Sequence, residues 1–189
     1  MLRKTLLTLL LFIVFCNGRV LAEETLDRRG VEEWLATSER QIYLKKYADA
    51  ISCATNAIVL NPQADRGFFL RGVGYAYLGV HHQAVREFTE AIQLSPGNGQ
   101  YYAWRAASLI ERRIYDEAIA DFDKAISISP DYPAIYQKRG YAYTLMEKHA
   151  EAIKDFSRAL SFNVRDYWSY YQRAGSHYAL GLKQEALVD

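Results

Sequence analysis

Imidazoles at His81-His82 and His149, the carboxylate pairs Asp121/Asp123 and Glu87/Glu90, and thiols at Cys16 and Cys53 are the residues here that could ligate metal, move protons or act as nucleophiles. Each set lacks the arrangement its chemistry needs. The histidines fall at a turn or at the start of a helix, where solvated or capping roles are commoner than ligation. The carboxylates have the spacing of charged helix faces, and paired-carboxylate catalysis would also require a cleft that raises one pKa. The chain has no HExxH, no CxxC, no glycine-rich phosphate loop and no G-x-S-x-G. Two cysteines build neither a disulfide framework nor a multi-cysteine metal site. The expectation is a protein without catalytic residues, metal or cofactor.

The composition narrows the partners. Lys and Arg number 23 against 22 Asp and Glu, a net charge of +1. Arg3, Lys4 and Arg19 more than account for that excess, so the chain beyond residue 22 is slightly acidic. Attraction to a phosphate backbone is therefore not expected, which excludes nucleic acid as the partner. With 50% hydrophobic residues, 15 Tyr and only 4 Pro, the chain has the means to build a substantial core.

Residues 1–22 have the plan of a secretory signal peptide: a basic start, the apolar run Leu6 to Phe15, and Val20-Leu21-Ala22 before Glu23. The competing reading is an uncleaved anchor, but Asn17-Gly18-Arg19 interrupts the run well before the roughly 20 residues a bilayer requires. A lipid anchor at Cys16 fits poorly because bulky Phe15 precedes it. The leader thus implies export to the periplasm, the medium or the secretory pathway, with contact to a membrane only in transit. Cys53 would then be the one remaining thiol, either buried and inert or paired between molecules.

A period of 34 residues organises the chain after the short lead-in 23–30. Asn61-Pro62, Ser95-Pro96 and Ser129-Pro130 recur at that interval, as do Ala50, Ala84, Ala118, Ala152 and Ala186. Units starting at 31, 65, 99, 133 and 167 carry an aromatic at position 4 (Trp34, Phe68, Tyr102, Tyr136, Tyr170). Position 8 is small (Ser38, Gly72, Ala106, Gly140, Ala174), and position 24 is Ala54, Phe88, Phe122 and Phe156. Positions 4, 8 and 11, and again 20, 24 and 27, share one helical face, so each unit reads as two amphipathic helices. Position 15 (Lys45, Gly79, Arg113, Glu147, Gly181) marks the turn between them, and Pro at 32 stops the second helix. No unit can bury its apolar face alone, which makes the chain over 31–189 a solenoid held by neighbour contacts.

These residues resemble the tetratricopeptide repeat family, over nearly all of the chain beyond the leader. The resemblance implies an all-α, right-handed helix-turn-helix solenoid of about five repeats, the last incomplete. Its departures lie at the ends: repeat 1 lacks the aromatic at 24 and has Gln41 where Tyr is common, and repeat 4 lacks Pro at 32. The final repeat reaches only position 23 at Asp189, so, unless the sequence is a truncated form, its second helix is expected either to fray beyond about Leu182 or to be buried by self-association.

One polar pattern runs through repeats 2 to 5. Position 7 is Arg71, Arg105, Arg139 and Arg173, and position 23 is Glu87, Asp121, Asp155 and Asp189. Repeat 1 lacks both partners, with Thr37 and Cys53 there. Each position lies about 60° to one side of its helix's packing stripe, so structural ion pairs are expected, the alternative being an Arg row that binds an acidic ligand.

The opposite flank of the first helix lines the concave groove in the family. Repeats 1 to 3 place Leu35, Tyr43, Phe69 and Tyr77 there, with Trp104 alongside; repeats 4 and 5 add Tyr141, Trp168, Tyr171 and Tyr178. Exposed aromatics at this density are a liability unless covered or bound, the alternative being packing between repeats. Some members grip a carboxylate-terminated tail with Asn at position 9; Glu39, Val73, Ala107, Tyr141 and Gly175 do not provide it. The expected function is an exported, non-enzymatic scaffold or adaptor that holds a peptide or partner helix. The alternatives are a unit that self-associates through its terminal repeats, possible through the C-terminal one, and a non-catalytic subunit of an enzyme complex. Intact-mass analysis of the exported protein should show Glu23 at the N-terminus; a retained Met1 in the membrane fraction would establish an anchor instead.

Overall fold

A computed structural model describes residues 30–189. The expected leader, and the lead-in as far as residue 29, lie outside the described residues. Helix α1 covers 30–43, followed by α2 (Tyr47–Leu60), α3 (Asp65–Tyr77), α4 (His81–Leu94) and α5 (Gly99–Glu111). Then come α6 (Tyr115–Ile128), α7 (Pro133–Leu145), α8 (His149–Phe162), α9 (Tyr167–Ala179) and α10 (Lys183–Val188). There is no strand among the described residues. From α2 onward each helix packs on its neighbours in sequence, and α3, α5, α7 and α9 also touch in succession, which is the solenoid order expected from the period.

Small residues at positions 8 and 20 set the spacing within a pair. Ala50, Ala84, Ala118 and Ala152 are fully buried, and Phe88, Phe122 and Phe156 fill the space beside them. A β-carbon on Gly72 would lie 2.7 Å from the Phe88 ring, and one on Gly140 2.9 Å from that of Phe156. In repeat 1, where position 24 is Ala54, Ser38 fills its place at position 8 and donates its hydroxyl to the Ala50 carbonyl at 2.8 Å.

The turn between the two helices of a repeat uses one device throughout. Position 15 is left-handed in all five repeats, with φ of 58° at Lys45, 75° at Gly79, 61° at Arg113, 59° at Glu147 and 78° at Gly181. The next N–H closes back on the first helix: Val80 on the Tyr75 carbonyl and Ile114 on that of Leu109, both at 2.9 Å. This is a Schellman cap, which satisfies carbonyls that the helix end leaves unpaired.

Adjacent repeats meet through aliphatics at positions 21 and 28, a pattern not read from the sequence. Ile51 and Ile58 of α2 press on Gly74 and Gly67 of α3, whose added β-carbons would meet them at 2.6 and 2.8 Å. Val85, Ile119 and Ile126 pack around the core formed by Ala106, Leu109, Phe122 and Ile135.

The Arg and acid rows meet within each repeat. Arg71 reaches Glu87 at 2.8 Å, Arg105 reaches Asp121 at 2.7 Å and Arg139 reaches Asp155 at 2.7 Å. Arg173 pairs with Asp189, the Nε donating at 2.9 Å. Each guanidinium also lies 5.4–5.9 Å from the ring at position 4 of its own helix. The same side chains reach back one repeat to position 25: Arg71 to Thr55, Arg105 to Thr89, Arg139 to Asp123 and Arg173 to Ser157. The rows thus form one polar ladder linking consecutive repeats. Asp121 and Asp155 are only 7% and 5% exposed. Hydrogen bonding to Asp121 raises the pKa of Arg105, and for Arg139 burial opposes the charge but bonds to Asp155 and Asp123 outweigh it.

Two sets of variants test these contacts. Gly72→Ala should cost about 1–3 kcal/mol by overpacking Phe88, and Gly79→Ala about 1–2 kcal/mol through its left-handed backbone, since a β-carbon there meets nothing. Chemical denaturation should show Phe88→Leu relieving the first variant and not the second. For Arg105→Ala and Asp121→Ala, a double-mutant cycle should give about 1–3 kcal/mol of coupling, above the roughly 0.2–1 kcal/mol of exposed pairs; a coupling near zero would dissociate the two rows energetically.

Candidate functional site

The first helices of repeats 1 to 3, with Lys45 and Tyr47, line an open cleft of about 500 Å³ on the concave side. Tyr43, at the end of α1, is 86% exposed and Tyr77, at the end of α3, is exposed too. Tyr47 stacks on Tyr77 with ring centroids 4.8 Å apart, and Tyr77 meets Trp104 edge-on at 5.9 Å. Phe69 forms the floor, perpendicular to Trp104 at 6.1 Å and stacked on Tyr101 at 4.9 Å. Phe69 and Trp104 are half-buried and both contact Phe88, so they hold the repeats together as well as facing the cleft.

Leu35 does not belong to this surface. It is 2% exposed and packs with Val31, Ala54, Ala57 and Leu70. Helical angle placed it on the concave flank, but an aliphatic side chain at this position of α1 turns into the seam with α2 and α3. Tyr47, by contrast, was missed because it stands at the start of a second helix, outside the positions considered for the groove.

A second aromatic patch lies toward the other end. Tyr141 is half-buried beside Trp168 at 6.1 Å, and Trp168 sets its edge against Phe156 at 5.8 Å. Tyr171 and Tyr178 are exposed and line a hollow of about 590 Å³ with Leu187. Between the two patches the concave positions carry Ala103, Ala107 and Ala134 together with Glu111, Gln137, Thr144 and Leu145, so the groove is two aromatic surfaces separated by a stretch of mixed character.

Charge near the cleft is concentrated on α1 and α3. Arg66 donates to Glu39 at 2.7 Å and to Glu32 at 3.3 Å, and the bond to Glu39 raises its pKa. Below it, Tyr101 donates to Asp65 at 2.9 Å; burial, then that bond, pushes its phenol well up. The position-7 Arg residues are engaged in the ladder, on a different side of the first helix from the cleft.

Among the described residues no group of three or more His, Cys, Asp or Glu side chains is placed to hold a metal ion. The Cys53 thiol is pushed up by burial and by Asp49, the opposite of an activated thiolate. His177 instead joins Arg173 on Asp189 at 3.0 Å, and these contacts hold the six-residue α10 against α9. No described helix is long and apolar enough to cross a membrane.

A family model for the TPR repeat matches residues 114–147, and one for the tetratricopeptide repeat matches 133–163. No curated protein matches the sequence. Among solved structures, MamA from Desulfovibrio magneticus RS-1 superposes with a TM-score of 0.76 at 16% identity, over 84% of this chain and 89% of that one. YrrB, a TPR protein with an unusual peptide-binding site, gives 0.70 at 14% identity, over 85% and 87%. The first TPR of Spaghetti (RPAP3), bound to the HSP90 peptide SRMEEVD, gives 0.62 at 23% identity, over 63% of this chain and 94% of that one. At these identities the likeness is one of fold. Residues 114–163 therefore carry tetratricopeptide repeats, within a chain whose described part has the tetratricopeptide solenoid fold.

Proposed function

We propose that the protein is a non-catalytic interaction scaffold, acting after export, that holds a peptide or partner helix in its concave aromatic groove. The observation that carries this reading is the N-terminal cleft, where Tyr43 and Tyr77 stand in solvent above a floor of Phe69 and Trp104. Rigid aromatic side chains give large contact area at low entropic cost, the composition of binding hot spots. Peptide binding by YrrB and by the first TPR of RPAP3 supports the same use of this fold. A second reading, assembly through the last repeat, is favoured by the hollow beside Tyr171, Tyr178 and Leu187.

Tyr43→Ala with Tyr77→Ala should weaken capture of a crosslinked partner by about 1–3 kcal/mol per anchor and leave helicity nearly unchanged. Phe69→Ala should lower stability as well, because that ring is part of the inter-repeat core. Lys124→Ala, on the outer face, should do neither. Full capture by the double variant would remove the groove from the reading, and sedimentation that depends on concentration but is indifferent to Tyr43 would favour assembly.

A further inference from the structure

We propose that a hollow in the Arg ladder of repeat 3 is a binding site for a phenol ring, carried by a small molecule or by a tyrosine side chain. The hollow measures about 280 Å³ and is lined by Arg105 and Asp121 of the ladder, by Val85, Leu109 and Ala120, and by Glu117. It shares no lining residue with the concave cleft. Repeat 3 carries short side chains at two places around it. Position 11 is Leu109 and position 22 is Ala120, where repeat 2 has Tyr75 and Arg86 and repeat 4 has Tyr143 and Lys154. Leu109 is 3% exposed and packs into the core with Phe122 and Ile135; a leucine ends at its δ-carbons, short of the outer ring atoms and hydroxyl of a tyrosine.

The following repeats show a ring in this setting. Arg139 lies 5.9 Å from the Tyr143 ring, and burial raises the Tyr143 phenol's pKa while the charges of Arg139, Asp123, Asp155 and Glu151 also act on it. Those four stand at the repeat positions that Arg105, Thr89, Asp121 and Glu117 hold around the hollow. In repeat 5 the ring at position 11 is His177, which reaches Asp189 at 3.0 Å. The walls suit a neutral ring with one donor. Val85, Leu109 and Ala120 offer apolar contact, and the Arg105 guanidinium, held by Asp121 at 2.7 Å and Thr89 at 3.1 Å, offers a cation to the ring face. Glu117 forms no ion pair among the described residues, so its carboxylate is free to accept from a phenol hydroxyl. An anionic ligand would face Asp121 and Glu117, and a cationic one would meet Arg105.

Titration of the full chain with p-cresol, the tyrosine side chain as a free molecule, tests the idea through the amide resonances of Ala120 and Asp121. These should shift saturably with a midpoint of roughly 1 mM, the range open to so small a ligand. Toluene, which lacks the hydroxyl, should bind about fivefold more weakly. Leu109→Tyr should abolish the shifts by supplying the ring from within. Ala120→Phe should also abolish them, covering the mouth from an exposed position without entering the core. N-acetyl-tyrosine amide binding as tightly as p-cresol supports a tyrosine side chain as the occupant, and binding of p-cresol alone supports a free phenol. The inference is overturned by the lack of a saturable shift up to about 20 mM p-cresol, by equal binding of toluene, or by shifts that survive Ala120→Phe.

Discussion

How closely the two helices of a repeat can approach governs this solenoid. Alanine at position 20 and a small residue at position 8 remove the side-chain bulk between the backbones, and a phenylalanine at position 24 fills the space beside them. Gly72 and Gly140 sit so near the rings of Phe88 and Phe156 that a methyl group would collide. Close packing of this kind leaves little room for adjustment, so it fixes the pair geometry and, by repetition, the course of the whole stack. The left-handed residue at position 15 serves the same constraint: it reverses the chain within one turn, so that the second helix starts alongside the first.

Joining the pairs into a stack combines an apolar and a polar element. The apolar element is the aliphatic row at positions 21 and 28, received by Gly67 and Gly74 on α3 and by larger side chains such as Tyr101 and Ile135 on later first helices. The polar element is the Arg ladder, in which each guanidinium serves its own carboxylate, its own aromatic ring and a hydroxyl or carboxylate one repeat back. Half-buried charges of this sort are costly unless their hydrogen-bonding capacity is met, and the three-way engagement meets it. The absence of both partners in repeat 1, at Thr37 and Cys53, fits this: an arginine without its acid would be a half-buried unpaired charge.

These two elements occupy the core and one flank of each first helix, which leaves the concave flank free to vary. It varies strongly, from aromatics in repeats 1 to 3, through a mixed stretch of alanine, Glu111, Gln137 and Thr144 in repeats 3 and 4, to Tyr141 of repeat 4 and the aromatics of repeat 5. Some of those rings do both jobs. Phe69 and Trp104 pack against Phe88 and also face the cleft, whereas Tyr43 extends into solvent.

The sequence by itself determined the helix pairs, their turns, the buried alanines and phenylalanines and the matching Arg and acid rows, because each arises from short helical spacings repeated in register. It did not show the third member of the ladder at Thr55, Thr89, Asp123 and Ser157, whose identities differ and whose partner belongs to the following repeat. Nor did it separate buried Leu35 from exposed Tyr43, or place Tyr47 on Tyr77. Helical angle gives the direction in which a side chain leaves its own helix; whether it meets solvent or a neighbour depends on where the next repeat lies, and that was decided only by the packing of one repeat on another.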